Sequence, residues 1–289
     1  MKLRSRSLSS PHSHRRRLSK QHGQLKAVPV PTVVARSKSP VQRIDWEIPR
    51  KTLHSSIGFL TLYLYFSHGS PRPVVVALSA ALAVIAPTDI LRLNSPAFAR
   101  VYERYLGFLM RESEKKTTNG VIWYIIGVIW VLTLYPLDIS VVSILILSWA
   151  DTAASTIGRL WGRYTPRLPR HILGLPLAPR KSLAGFIAGS LTGAAIAAGF
   201  WGLYSRSGII EPIWTWEDGV VGTSTGTGAA KTGVLTGWLG LGVISIFTGI
   251  VSGISEALDV GSLDDNLTLP ILSGGCLFAF FRCLQYVFS

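Results

Sequence analysis

The sequence predicts an all-α polytopic membrane protein with about seven transmembrane helices and a polar site on the cytoplasmic face. Three observations carry this. The 289 residues are 48% hydrophobic and only 15% charged, against the ~25% charge of an ordinary soluble domain. Apolar runs near the ~20 residues needed to cross ~30 Å of hydrocarbon recur from Thr52 onward. Lys and Arg are concentrated in alternate loops, the pattern that orients membrane helices.

The net charge of +14 is unevenly placed. Residues 1–43 hold eleven Lys/Arg and no acid, so the remainder carries 18 basic and 15 acidic residues. Residues 1–47 therefore read as a disordered basic cytoplasmic arm. Arg15-Arg16-Arg17 fits a juxtamembrane segment drawn to anionic lipid, and no nucleic acid partner is expected. No apolar stretch follows the first methionine as in a signal peptide. Residues 48–289 form the polytopic body. Its two cysteines, Cys276 and Cys283, lie seven apart in one apolar run, about 10 Å along a helix axis. That separation excludes a disulfide between them.

Helices are expected at 52–68, 73–91, 120–136, 139–158, 183–204, 234–252 and 267–288. Ser70-Pro71-Arg72-Pro73 and Tyr135-Pro136-Leu137-Asp138 punctuate the first two tight turns. With the arm in the cytoplasm, alternation puts loops 92–119, 159–182 and 253–266 on the same side. The first two carry six Lys/Arg each. Within 92–119, Phe98, Val101, Tyr102, Tyr105, Leu106 and Leu109 follow helical spacing, which reads as an amphipathic interfacial helix. Gly185, Gly189, Gly193 and Ala197 recur every fourth residue and mark a helix-packing face. Segment 205–233, with its Gly/Thr run at 222–228, reads as a low-complexity lumenal loop. It is no phosphate loop: no strand precedes it and no Gly-Lys-Ser follows.

The polar constellations gather on the cytoplasmic side. Arg50, Lys51 and His54 open the first helix, where cations oppose the helix dipole unless an anion is held. Arg111-Glu112 precedes the third. The fourth ends in Asp151, with Ser155 and Gly158 on one helical face, followed by Arg159 and, across the loop, Arg180-Lys181-Ser182. Snorkelling arginines at a plain helix end are the competing reading. Glu256, Asp259, Asp264, Asp265 and Asn266 crowd a short loop and offer hard oxygen ligands to Mg²⁺ or Ca²⁺. Cations for phosphate oxygens, carboxylates for a metal and a carboxylate for a hydroxyl proton are the requirements of phosphoryl or nucleotidyl transfer. A transporter is the reading from another class. It predicts charged residues at mid-membrane and broken helices in paired repeats, which the chain does not show.

In their order, Arg50-Lys51-x-x-His54, Arg111-Glu112, Asp151-x-x-x-Ser155-x-x-Gly158-Arg159, Arg180-Lys181-Ser182, Glu256-x-x-Asp259 and Leu263-Asp264-Asp265-Asn266-x-x-x-Pro270 resemble the CTP-dependent lipid kinases, the fungal diacylglycerol kinases above all. Dolichol and phytol kinases and phosphatidate cytidylyltransferase belong to the same wider group, and dolichol kinase or cytidylyltransferase activity is the alternative within it. The resemblance spans roughly 48–288, and the long 205–233 segment departs from it. It implies CTP as donor, diacylglycerol as acceptor, a divalent cation, and the endoplasmic reticulum and nuclear membranes. It marks Arg50, Lys51, Asp151 and Gly158 as core residues. Under it, Arg50 and Lys51 grip phosphates with Arg180 and Lys181, while Gly158 admits phosphate or cytosine. Asp151 holds the metal with Asp264 and Asp265. Either Asp151 or His54 takes the acceptor's proton.

Overall fold

A computed structural model describes residues 47–172, 174–204, 213–221, 235–261 and 263–288. Nine α-helices account for most of the described chain: α1 (Ile48–Phe66), α2 (Pro71–Asn94), α3 (Pro96–Leu106), α4 (Gly120–Leu134), α5 (Leu137–Leu145), α6 (Asp151–Trp161), α7 (Leu183–Tyr204), α8 (Gly237–Ala257) and α9 (Asp265–Phe288). Five helical segments are long and apolar enough to cross a membrane: 71–94, 137–164, 183–203, 237–257 and 265–287. α4 is apolar but shorter at 15 residues, and α1, with its polar first turns, has 19. Each predicted helix is present, with ends shifted by a few residues. The protein is an all-α multi-pass membrane protein.

Proline and small polar caps set the helix starts. Ser70 and Ser95 accept the backbone N–H groups of Arg72 and Phe98, and Asn119 Oδ1 accepts that of Val121 at 3.0 Å. Each satisfies a donor that the first helical turn leaves unpaired. α3 buries none of its residues, and Tyr105 is 70% exposed, as an interfacial helix would be. A buried ion pair ties α2 to the segment before α4. Arg92 Nε bonds Asp89 Oδ1 at 2.8 Å, and Arg92 also bonds the carbonyls of Lys115 and Thr117. Asp89 accepts in turn from the Asn119 backbone.

The central pillar is α5 and α6, joined through one π-helical turn, Ile146–Ala150. Every residue from Asp138 to Ser148 is buried. Its upper half packs in the core formed with Val131, Ile196, Phe200, Ile244, Leu277 and Phe281. α7 and α8 approach through small residues. A Cβ on Gly193 would collide with Ser252, and one on Gly249 would sit 2.7 Å from the Ser190 carbonyl. Ser252 Oγ instead bonds the Gly189 carbonyl at 3.0 Å. The expected glycine face of 183–204 is thus a packing face. α4 meets α9 where Gly127 faces Pro270 and the Asn266 carbonyl. That is the carbonyl whose helical donor Pro270 lacks.

Segment 205–233 is not wholly a loop. Trp214–Thr215 (β3) pairs antiparallel with Gly219–Val220 (β4). Trp214 is fully buried and donates its indole N–H to the Leu235 carbonyl at 2.6 Å. Asp138 accepts the backbone N–H of Ile213, and Gln285 donates to the Val221 carbonyl. Two tryptophans at 214 and 216 carry enough apolar surface to fold this piece onto the helices. The Gly/Thr run at 222–228 and the arm up to residue 46 lie outside the described residues.

Candidate active site

At one end of the helices an open cleft of about 960 Å³ is enclosed by α6, the start of α7, the end of α8 and the connection 159–182. That connection is folded, not slack. His171–Ile172 (β1) and Leu175–Pro176 (β2) form a hairpin, with Gly174 at φ +83° in its turn. Ala178 donates to the Ala257 carbonyl at 2.9 Å and Asp259 to the Pro176 carbonyl at 3.0 Å, stitching the hairpin to the end of α8. Leu168, Leu177 and Ala257 form a small core of their own beneath it.

Arg111, Arg159, Arg163, Arg167, Arg180 and Lys181 line the cleft, with the carboxylates Asp151, Glu256 and Asp265 among them. Asp151, Ser155 and Gly158 share the lining face of α6, as their i, i+4, i+7 spacing requires. The π turn directly before Asp151 adds a residue to the helix and so rotates Asp151 relative to the buried stripe of α5. The Asp151 carboxylate makes no hydrogen bond or ion pair with any described residue. Its charge nevertheless acts on Lys51, His54, Arg111, Lys181 and Glu256.

Lys181 sits between two carboxylates, 3.2 Å from both Glu256 Oε1 and Asp265 Oδ2, and also bonds the Glu256 carbonyl. Burial alone would lower its pKa. The charges of Glu256 and Asp265 outweigh that and raise it, so Lys181 stays an ammonium. Glu256 is 8% exposed, and its Oε2 is buried with no hydrogen-bond partner among the described residues. Ser182 Oγ caps α7 by accepting from Gly185, and Ser155 Oγ bonds back to the Thr152 carbonyl. Arg180 reaches Asp265 at 3.8 Å.

Of the two cations at the start of α1, Arg50 is held by Glu47, the last residue of the basic arm. Glu47, in the left-handed conformation at φ 48°, pairs with Arg50, with Arg159 at 2.7 Å and with Arg111 at 3.5 Å. Burial opposes ionisation of Glu47. The Arg159 hydrogen bond and the charges of Arg50, Arg111 and Arg159 prevail and hold its pKa down to about 2. Arg50 itself is buried, and its Nε and Nη1 have no acceptor among the described residues. Lys51 donates to Thr156 Oγ1 at 3.1 Å, docking α1 on α6. His54 is buried against Tyr124 at 4.8 Å between ring centres.

Gly158 lines the cleft and also lies against α7: a Cβ there would meet Ser182 Oγ at 3.4 Å and Gly185 Cα at 3.5 Å. Its small size serves the α6–α7 crossing. Of the six metal-ligand candidates, Asp151, Glu256 and Asp265 line the cleft together. Among the described residues no three His, Cys, Asp or Glu are grouped to hold an ion. Asp264 Oδ1 accepts the Asn266 backbone N–H at the start of α9, where burial raises its pKa. Asn266 donates to the Gly120 carbonyl. Asp265 belongs to Lys181 and Arg180, and Asp259 lies beside the hairpin. The side chain of Glu112 lies outside the described residues. Glu47, Arg163 and Arg167 join the site unforeseen. Only their place in a run of basic residues hinted at the two arginines, and nothing in the sequence near Glu47 announced its partners.

No family model matches the chain, and no solved structure does. Curated relatives do. A CTP-dependent diacylglycerol kinase of Schizosaccharomyces pombe is 38% identical over 232 residues, 80% of this chain and 92% of that one. One of Saccharomyces cerevisiae is 38% identical over 227 residues, 78% of this chain and 71% of that one. A probable chloroplastic phytol kinase of Oryza sativa subsp. japonica is 24% identical over 235 residues, 79% of this chain and 64% of its own. An identity of this size, sustained over nearly the whole of a polytopic body that ends in a basic cleft, decides the family: the chain belongs to the CTP-dependent diacylglycerol kinases.

Proposed function

We propose that this protein transfers the γ-phosphoryl group of CTP to the free hydroxyl of diacylglycerol, giving phosphatidate and CDP, at the cytoplasmic face of the endoplasmic reticulum and nuclear membranes. One observation carries the chemistry: six basic side chains line a cleft at the ends of membrane helices together with the Asp151 carboxylate, which no described residue pairs. A triphosphate carries about four negative charges, and phosphoryl transfer depends on placing cations around its oxygens. Arg180, Lys181, Arg163 and Arg167 grip the phosphates from the folded connection. The Arg159 and Arg111 guanidiniums, gathered with the buried Arg50 by Glu47, complete the ring from the α1 side.

In the reaction the lipid hydroxyl oxygen bonds the γ-phosphorus as the bond to the β–γ bridging oxygen breaks. The hydroxyl proton passes to Asp151, and CDP leaves with the electron pair. Mg²⁺ on a nucleotide is commonly held by one or two carboxylates plus phosphate oxygens, not by an all-protein cage. The orphaned Glu256 Oε2 and the second oxygen of Asp151 fit that requirement. A divalent cation held there would neutralise phosphate charge. Residues 1–43 hold the protein to anionic lipid by their basic charge.

The test uses purified protein in detergent with γ-labelled CTP or ATP and a panel of diacylglycerol, dolichol and phosphatidate. Label is expected in phosphatidate from CTP and diacylglycerol, and to require Mg²⁺ or Ca²⁺. Label in dolichyl phosphate instead would give the alternative substrate, and transfer to no lipid would overturn the kinase reading.

A further inference from the structure

A second cavity, apolar and about 440 Å³, lies between α1, α2, α4 and α5, within the size range of ligand pockets. It runs along α1 from Leu53 to Leu64. Eleven residues of helix rise about 16 Å, and one leaflet of a ~30 Å hydrocarbon core is about 15 Å deep. Its flank is open to the bilayer, since Leu53 is 42% and Leu60 64% exposed. Its wall is aliphatic apart from three residues. Thr61 is one, and its hydroxyl is already bonded to the Ile57 carbonyl at 2.9 Å. The other two, His54 and Tyr124, sit together at the same end of the groove. Tyr124 shares a 2.9 Å hydrogen bond with Ser148, three residues before Asp151 in the π turn. Lys51, one turn before His54, docks on α6. The groove is therefore apolar along one leaflet and polar where it nears the cleft.

We propose that this groove binds one acyl chain of the acceptor lipid from the facing leaflet, with the lipid's free hydroxyl at the His54–Tyr124–Ser148 end. The inference rests on the lipid-kinase reading and adds to it the entry path of the acceptor and the residues that select its chain. An aliphatic wall packs against an acyl chain at no desolvation cost, since bilayer hydrocarbon is equally apolar, and cannot hold a charged phosphate. The match of groove length to one leaflet selects a chain over a soluble ligand. The second chain of the lipid stays in the bilayer beside Leu60.

Leu78→Trp and Val74→Trp test this. Both positions line the groove from α2 and are half-buried, so a larger side chain enters open space without displacing the core. The kcat/KM for dioleoylglycerol relative to dioctanoylglycerol is expected to fall at least tenfold, with the KM for CTP within twofold of wild type. A ratio within twofold of wild type would overturn the groove assignment while leaving the kinase reading intact. In a parallel arm, wild-type protein is photolabelled with a diacylglycerol carrying a mid-chain diazirine and mapped by mass spectrometry. Labels on α1, α2 or α4 groove residues, reduced by Leu78→Trp, support the site. Labels confined to α8 or α9 contradict it. Groove labelling by a wild-type protein that transfers no phosphate would support the groove and overturn the kinase reading.

Discussion

Glu47 shows what single residues do here. One carboxylate collects Arg50, Arg111 and Arg159, which would otherwise repel one another where phosphate oxygens must be received. Its pKa falls from the ordinary 4.5 to about 2 on folding. A depressed carboxylate contributes stability that is fully present above 4.5 and lost as pH falls toward 2. Wild type in detergent should therefore lose thermal stability between about pH 4.5 and 2, and Glu47→Gln should lose less over that interval. Equal losses in both proteins would show that Glu47 is not the hub. The sequence placed Arg50 and Lys51 correctly as cations at a helix start but could not reveal Glu47. Its more distant partners stand 64 and 112 residues away, and only the packing of α1 against α6 and against the segment after α3 brings them together.

At the scale of elements, the glycines of α7 and α8 decide how closely the helices approach. Gly193→Leu would drive its side chain into Ser252. Overpacking of this kind costs about 1–3 kcal/mol. Thermal unfolding in detergent should show the loss, and Gly199→Leu, where a Cβ meets nothing within 4 Å, should not. Equal losses at both positions would contradict the packing account. Such periodic small residues are legible in a sequence because one face repeats every fourth residue. Gly158 was legible only as a glycine in a polar helix end, which fits ligand approach and helix packing equally well. Its neighbours Ser182 and Gly185 stand at the start of another helix, so the packing contact is visible only once α6 and α7 are placed together. The π turn at Ile146–Ala150 left no such mark, because it is a response to packing around α5.

Across the whole molecule, proline, asparagine and charge at the ends of the apolar runs made the seven helices readable nearly to their boundaries. Their lateral arrangement, and with it the groove, was not readable, since hydropathy says that a helix crosses a membrane but not which neighbour it meets. The cleft elements share one end of the bundle, which the charge pattern assigns to the cytoplasm. With Cys276 and Cys283 replaced by serine, His171→Cys in sealed microsomes should react with a membrane-impermeant maleimide and Asp218→Cys should not. The reverse pattern would invert the topology. The central claim is that Asp151 works at the ring of cations on CTP. It is tested most directly by γ-label transfer from CTP to diacylglycerol in wild type and Asp151→Asn, with CTP binding measured in both. Label is expected in phosphatidate from wild type. In the variant a loss of at least about 100-fold is expected, the usual scale for removing a positioned proton acceptor, with CTP still bound. A folded Asp151→Asn protein with undiminished transfer would contradict the claim.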